Sequence, residues 1–338
     1  MLLRSVQKFD ILRVVLGGYD DQVQRGMRDM SRVVFIGSKH LGLNCLKRIH
    51  ELAPSSLAGV VTIDDSSDTR TVFDQFQSFG DANAVRVEVA KHRRDSERLI
   101  CSLEPDICLV VGWYWLITKD TLNKVPRGFL GIHNSLLPKY RGAAPLVWAI
   151  INGDSELGFS LFSFADSMDD GPVWGQRTVS LQDDDYIGDV LQRLKDEAMV
   201  FLTDIWPSIL EGSVVPIPQD QSEATFCSFR TPEDGEIDWK RPAREIYNFI
   251  RAQSAPYPGA YTSIDGTTKL TVWRAKPVDL CFYGTPGQVA QLQHNGVYVI
   301  CGDNRPLLLE EVSIAGDGMA PAQDVLKSLK QRLSPMIR

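Results

Sequence analysis

The feature that most constrains this chain is an alternation, across residues 32–111, of short β-branched apolar runs with longer amphipathic stretches. Residues 32–37, 57–63 and 106–111 read as buried strands, because continuous Val/Ile/Leu-rich runs fit a sheet covered on both faces, and residues 84–89 carry a weaker strand signal. Between them, residues 40–53 place Leu41, Cys45, Leu46, Ile49 and Leu52 on one helical face, and residues 95–103 form a second helix. Strands alternating with helices predict an α/β domain with a parallel sheet, which binds ligands beyond the carboxyl ends of its strands. The first strand-to-helix turn carries Gly37 and Gly42 but lacks the middle glycine of a dinucleotide fingerprint. It reads as a tight turn and not as a nicotinamide cradle.

The longest helix spans residues 186–212, with Ile187, Val190, Leu191, Leu194, Ala198, Phe201, Leu202 and Ile205 as its apolar stripe. Asp183, Asp184 and Asp185 give its start negative charge, Gly212 follows its end, and Pro207 predicts a kink in the last turn. After a proline-bearing stretch the pattern changes to short strands at 260–264, 270–273, 287–291, 297–300 and 307–312. A helix at 243–253, with Pro242 at its first turn, comes before them. Short strands separated by turn residues predict a small barrel. The organisation is therefore an extension at 1–29, a first domain at 30–212, a linker at 213–222 and a second domain at 223–334. Met30 directly precedes the first strand and is the expected natural start.

A chain of 338 residues with 43% apolar content can bury two cores. Its formal net charge of -7 gives no general attraction to phosphate backbones. Cys45, Cys101, Cys108, Cys227, Cys281 and Cys301 show neither a paired motif nor zinc spacing. They read as reduced thiols of a cytoplasmic protein. No run is long enough to span a membrane.

The chemistry is concentrated in two stretches. Residues 129–132 predict a short strand that delivers His133 to its carboxyl end, where an α/β site places an acid or base. Alternatively, His133 only satisfies its own loop. Residues 158–164 predict another strand, which ends near Asp166, Asp169 and Asp170. A carboxylate within hydrogen-bond distance would stabilise the imidazolium of His133 and raise its pKa. At least one of the three aspartates is expected to be only a solvated turn residue.

The run His133-Asn134-Ser135-Leu136-Leu137-Pro138-Lys139-Tyr140-Arg141-Gly142-Ala143-Ala144-Pro145, then Gly158-Phe159-Ser160, then Asp169-Asp170-Gly171-Pro172, resembles the formyltetrahydrofolate-dependent formyltransferase family. That family includes methionyl-tRNA formyltransferase and the amino-sugar formyltransferases. The stretches 230–239 and 250–260 resemble the start of the family's second domain. The resemblance implies a Rossmann-like formyltransferase domain followed by a small OB-like β-barrel. It implies 10-formyltetrahydrofolate as co-substrate and no metal. It also implies that His133 is the catalytic histidine and that Asp169 pairs with it. Ser135, Leu136, Leu137 and Pro138 would line the folate site. Trp113, Trp115, Leu116 and Ile117 would hold the pterin, largely through backbone groups, with Ala165, Asp166 and Met168 on the opposite wall. Core packing remains the other reading of Trp113 and Trp115. Where the family usually has an Asn that donates to the oxyanion, this chain has Gly131. Asn134, or a backbone N–H, is the expected replacement.

The acceptor is read as a primary amine, with a nucleotide-linked amino sugar first. The stretch 63–74 carries four aspartates and one arginine, the wrong sign for a phosphate backbone. A tRNA acceptor is the second reading, and formyltetrahydrofolate hydrolysis or a catalytically impaired folate-binding module the third. A homodimer is compatible with the sequence.

Overall fold

The computed structural model describes residues 31–337. The extension at 1–29 and the proposed start at Met30 lie outside them. The first sheet begins with β1 (Val33–Gly37), β2 (Leu57–Ile63), β3 (Val87–Ala90), β4 (Ile107–Val111) and β5 (Phe129–His133). These five pair in parallel. Every residue of β1 and β4 is buried, as their unbroken apolar runs require. Helices α1 (Lys39–Leu52), α2 (Phe73–Asn83) and α3 (Arg93–Ser102) connect the first four strands. The third strand starts at Val87 and not at residue 84, because Ala84 ends α2 in the left-handed conformation at φ 53°. Helix α2 had no strong signature: its Phe73, Phe76 and Phe79 recur in an otherwise polar stretch.

After a one-turn α4 (Lys119–Leu122) and β5 come a two-residue strand β6 (Arg141–Gly142) and α5 (Pro145–Asn152). Strands β7 (Glu156–Ser163) and β8 (Val173–Ser180) then extend the sheet, β7 antiparallel to β5 and β8 antiparallel to β7. The order is β3-β2-β1-β4-β5-β7-β8. The chain winds outward to one side from β1 and to the other from β4. The carboxyl ends of β1 and β4 therefore open the crevice where such sheets bind ligands. Helix α6 (Ile187–Glu211) packs on α1 and runs through Pro207 until Gly212, at φ 73°, ends it. Its first turn is closed by Asp189, which accepts from the Tyr186 N–H at 2.9 Å, and not by Asp183 or Asp184.

Just beyond the linker, β9 (Phe226–Cys227) pairs with β6. Helix α7 (Ala243–Gln253) follows, then β10 (Ala260–Ile264), β11 (Thr268–Pro277), β12 (Val289–Gln293), β13 (Gly296–Ile300) and β14 (Pro306–Ile314). The chain closes with β15 (Ala320–Pro321), α8 (Ala322–Val325) and β16 (Leu333–Ser334). The second sheet runs β12-β13-β14-β11-β10-β16, and a bridge between Gln288 and Arg332 brings its two ends together as a small OB-like barrel.

The two domains share side chains. Tyr186, at the head of α6, is buried in the barrel core, where its hydroxyl donates to the Ala275 carbonyl at 2.9 Å and accepts from the Ala275 N–H at 3.0 Å. Ala252 of α7 is buried in the first domain's core. Buried Arg251 donates to the carbonyls of Gln182 and Asp185, both at 3.1 Å. All six cysteines are free thiols, and no helix among the described residues is long and apolar enough to cross a membrane.

Candidate active site

A cleft of about 750 Å³ opens at the crevice beyond β1 and β4, and His133 and Asp169 both line it. His133 is the last residue of β5, so strand geometry fixes its backbone. Its Nε2 lies 2.8 Å from the Tyr140 carbonyl oxygen. A carbonyl only accepts, so Nε2 carries the hydrogen and Nδ1 is left as the nitrogen able to take a proton. Nδ1 faces Asp169 Oδ2 at 3.7 Å. That gap exceeds hydrogen-bond length by about half an ångström, a looseness common before substrate is bound.

Asp169 is held from two directions. Its Oδ2 accepts from the Gly142 N–H at 2.8 Å, and its backbone carbonyl accepts from Gln219 Nε2 at 2.7 Å. Gly142 sits at φ 105°, and a Cβ there would lie 2.5 Å from the Cys227 carbonyl, so the β6–β9 pairing requires glycine. Asp169 itself sits at φ 52°, strain of the kind a structure retains where a side chain must be aimed. Of the three aspartates, Asp166 instead pairs with Lys119 at the surface, with both side chains about two-thirds exposed.

The inner half of the cleft is aromatic. Pairing of β5 with β7 sets Phe162 across from Gly131. Phe164 packs against both Phe129 and Phe162, at centroid distances of 6.4 and 5.5 Å. The Phe162 ring meets His133 edge-on at 6.2 Å. A Cβ on Gly131 would lie 2.3 Å from Phe164 Cε1. The ring of Phe164 thus occupies the volume a side chain at 131 would need, which explains the glycine physically. Asn134 lines the cleft beside His133, and its carboxamide makes no hydrogen bond among the described residues. Trp113 lines the cleft while packing edge-on against Trp115 at 5.3 Å and against the core. Its indole N–H is buried and has no acceptor among the described residues.

The remaining expected site residues are placed differently. Ser135 and Leu136 line a second cavity of about 390 Å³ that shares Asn134 with the cleft. Leu137 is buried, and its carbonyl accepts from Gln176 Nε2 at 2.8 Å. The Leu137–Pro138 peptide is cis. Trp115 and Ile117 pack against the core behind the cleft, Leu116 and Met168 are largely exposed, and Ala165 is exposed beside Asp166.

Sequence reading missed the outer half. Lys39 opens α1 at φ 62°, a conformation costing about 1–2 kcal/mol outside glycine. Its Nζ lies 2.7 Å from Asp65 and 2.8 Å from Asp68. Desolvation opposes the Lys39 charge, but hydrogen bonds with Asp65 and Asp68 outweigh it and leave its pKa above the usual lysine value. Arg70 pairs with Asp68 at 2.8 Å and holds that carboxyl below the ordinary range. The acidic stretch is thus neutralised at Asp65 and Asp68, partly by a lysine distant in sequence.

The family model described as formyl transferase matches residues 32–205, and that of the formyl transferase C-terminal domain matches 230–330. The chain is 32% identical over 314 residues to a methionyl-tRNA formyltransferase of Halalkalibacterium halodurans, covering 90% of this chain and 96% of that protein. HypX from Aquifex aeolicus, solved in complex with tetrahydrofolic acid, superposes with a TM-score of 0.62 at 18% identity. That match covers 89% of this chain but only 48% of HypX, so the chain spans about half of that protein. WlaRD, a sugar 3N-formyl transferase solved with dTDP and 5-N-formyl-THF, superposes at 0.61 with 15% identity, covering 86% of this chain and 100% of WlaRD. At these identities the structural likenesses establish the fold.

Proposed function

The chain belongs to the formyl transferase family, and on that footing we propose that it moves a formyl group from 10-formyltetrahydrofolate to a primary amine, the acceptor being a nucleotide-linked amino sugar. The observation that carries the reading is the approach of His133, at the end of β5, and Asp169, in the loop between β7 and β8, to 3.7 Å in the switch-point cleft. The residues suit a folate. Trp113 lines the cleft, and Phe162 and Phe164 add an apolar aromatic wall.

In the reaction, a bond forms between the amine nitrogen and the formyl carbon, and the bond from that carbon to the folate nitrogen breaks. One proton passes from the amine to that folate nitrogen. His133 Nδ1 accepts it and returns it, with Nε2 fixed by the Tyr140 carbonyl and Asp169 stabilising the intervening imidazolium. Negative charge developing on the formyl oxygen needs a donor, and the uncommitted Asn134 carboxamide supplies it.

The test is a screen of amine acceptors with 10-formyltetrahydrofolate, read as tetrahydrofolate release. Release that depends on an amino-sugar nucleotide supports the reading; release without any amine replaces it with hydrolysis. The 32% identity to a methionyl-tRNA formyltransferase favours a second acceptor, charged tRNA. Binding that weakens steeply with salt identifies that case.

A further inference from the structure

We infer that the outer end of the cleft is a seat for an anionic group, phosphate or carboxylate, between Arg70 and Lys195. The inference rests on the formyl-transfer reading only for the identity of the co-substrate that carries the anion.

Three pieces of the fold build this end. The stretch after β2 contributes Arg70, whose guanidinium lies over the Tyr257 ring at 5.4 Å. The segment after α7 contributes Pro256 and Tyr257. Helix α6 contributes Gly188, Gln192 and Lys195, spaced i, i+4 and i+7 and therefore on one face. The pieces are contiguous, since a Cβ on Gly188 would lie 3.0 Å from the Ala255 carbonyl. The second domain thus supplies part of the wall.

Among the residues that line the cleft, cations outnumber carboxylates. The cleft lining holds Lys39, Arg70 and Lys195 against one carboxylate, Asp169, which belongs to the His133 end. The chain as a whole carries -7. Asp65 and Asp68 are turned onto Lys39 and Arg70 and do not line the cleft. Arg70 gives Nε and Nη2 to Asp68, and its Nη1 has no partner among the described residues. Among the described residues, the Lys195 ammonium donates only to the neutral Gln192 side chain. Arg70 and Lys195 both line this cavity, and a guanidinium and an ammonium on one cavity match the oxygens of a phosphate or carboxylate. Two sources fit: a phosphate on the acceptor, or the glutamate carboxylates of the folate.

The test uses the full chain with inorganic pyrophosphate and with folinic acid as probes, by calorimetry, in wild type, K195Q and R70Q/K195Q. K195Q leaves the Asp68–Arg70 clamp intact, so it reads the seat without disturbing the fold. Each lost charge-assisted hydrogen bond should weaken binding about tenfold. Loss of pyrophosphate affinity with folinic acid unchanged assigns the seat to the acceptor. Loss of folinic acid affinity with pyrophosphate unchanged assigns it to the folate tail. Unchanged affinity for both probes in both variants overturns the seat. Failure of wild type to bind folinic acid would count against the formyl-transfer reading alone.

Discussion

Replacing Gly131 with Asn would restore the residue type that related formyltransferases use, yet the structure predicts loss and not gain. The new Cβ would stand 2.3 Å from Phe164 Cε1, and 3.1 Å and 3.3 Å from neighbouring ring carbons of Phe164 and Phe162. Ordinary carbon contacts begin near 3.5 Å, so the Phe164 ring must retreat by about 1 Å. It packs between Phe129 and Phe162, which leaves it little freedom. Overpacking of this kind costs about 1–3 kcal/mol. G131N should therefore lower the urea-unfolding free energy by that amount and weaken folinic acid binding. Combining it with F164A should recover part of the loss, so that the double-mutant cycle shows a coupling of about 1 kcal/mol or more in the favourable direction. If G131N were as stable as wild type and the cycle additive, Phe164 would not be the reason for the glycine.

Three further outcomes are expected. N134A should cut turnover about a hundred- to a thousandfold while folinic acid affinity is retained, as single-turnover and binding measurements will show. Y186F should destabilise the chain by about 1–3 kcal/mol in urea, because the Ala275 N–H and carbonyl inside the barrel lose their partner. Hydrogen bonds from Arg193 hold Asp185 below the usual aspartate range, and those from Arg70 do the same for Asp68. Their stabilisation is complete above about pH 4 and drains away as pH falls through the depressed values. The urea midpoint should therefore drop on acidification below that point, with a shallower drop in D185N.

The parts of the fold legible in the sequence were those set by period and apolar content. The runs that became β1, β2 and β4 are buried, and the helix from residue 186 follows its stripe to Glu211. Helix α2 and strand β8 escaped notice. The first buries only Phe76, Phe79 and Gly80, and the second buries only Val179 of eight residues, so neither gives a strong periodic signal. His133 could be singled out because it ends an apolar run, whereas the pattern alone left Asp166, Asp169 and Asp170 open and only the family resemblance pointed to Asp169. Phe162 and Phe164 were visible only as strand residues, since their meeting with Gly131 depends on the antiparallel register of β5 and β7. Lys39, Arg70, Lys195 and Tyr257 come from four separate places in the chain. The first three meet through the packing of the first domain and only Tyr257 arrives with the second, and no local pattern encodes either. Nor does the stretch itself show that Asp65 and Asp68 pair with a lysine more than twenty residues upstream.

The most direct test of the account is a titration of protein labelled with ¹⁵N in its histidine rings with folinic acid. The chain has only five histidines, so H133Q assigns the relevant signal by its disappearance. The account predicts saturable binding that moves the His133 ring resonances, with the movement diminished in D169N. Saturable binding that leaves His133 unmoved would mean the folate sits elsewhere, and the assignment of this cleft as the centre of formyl transfer would be wrong.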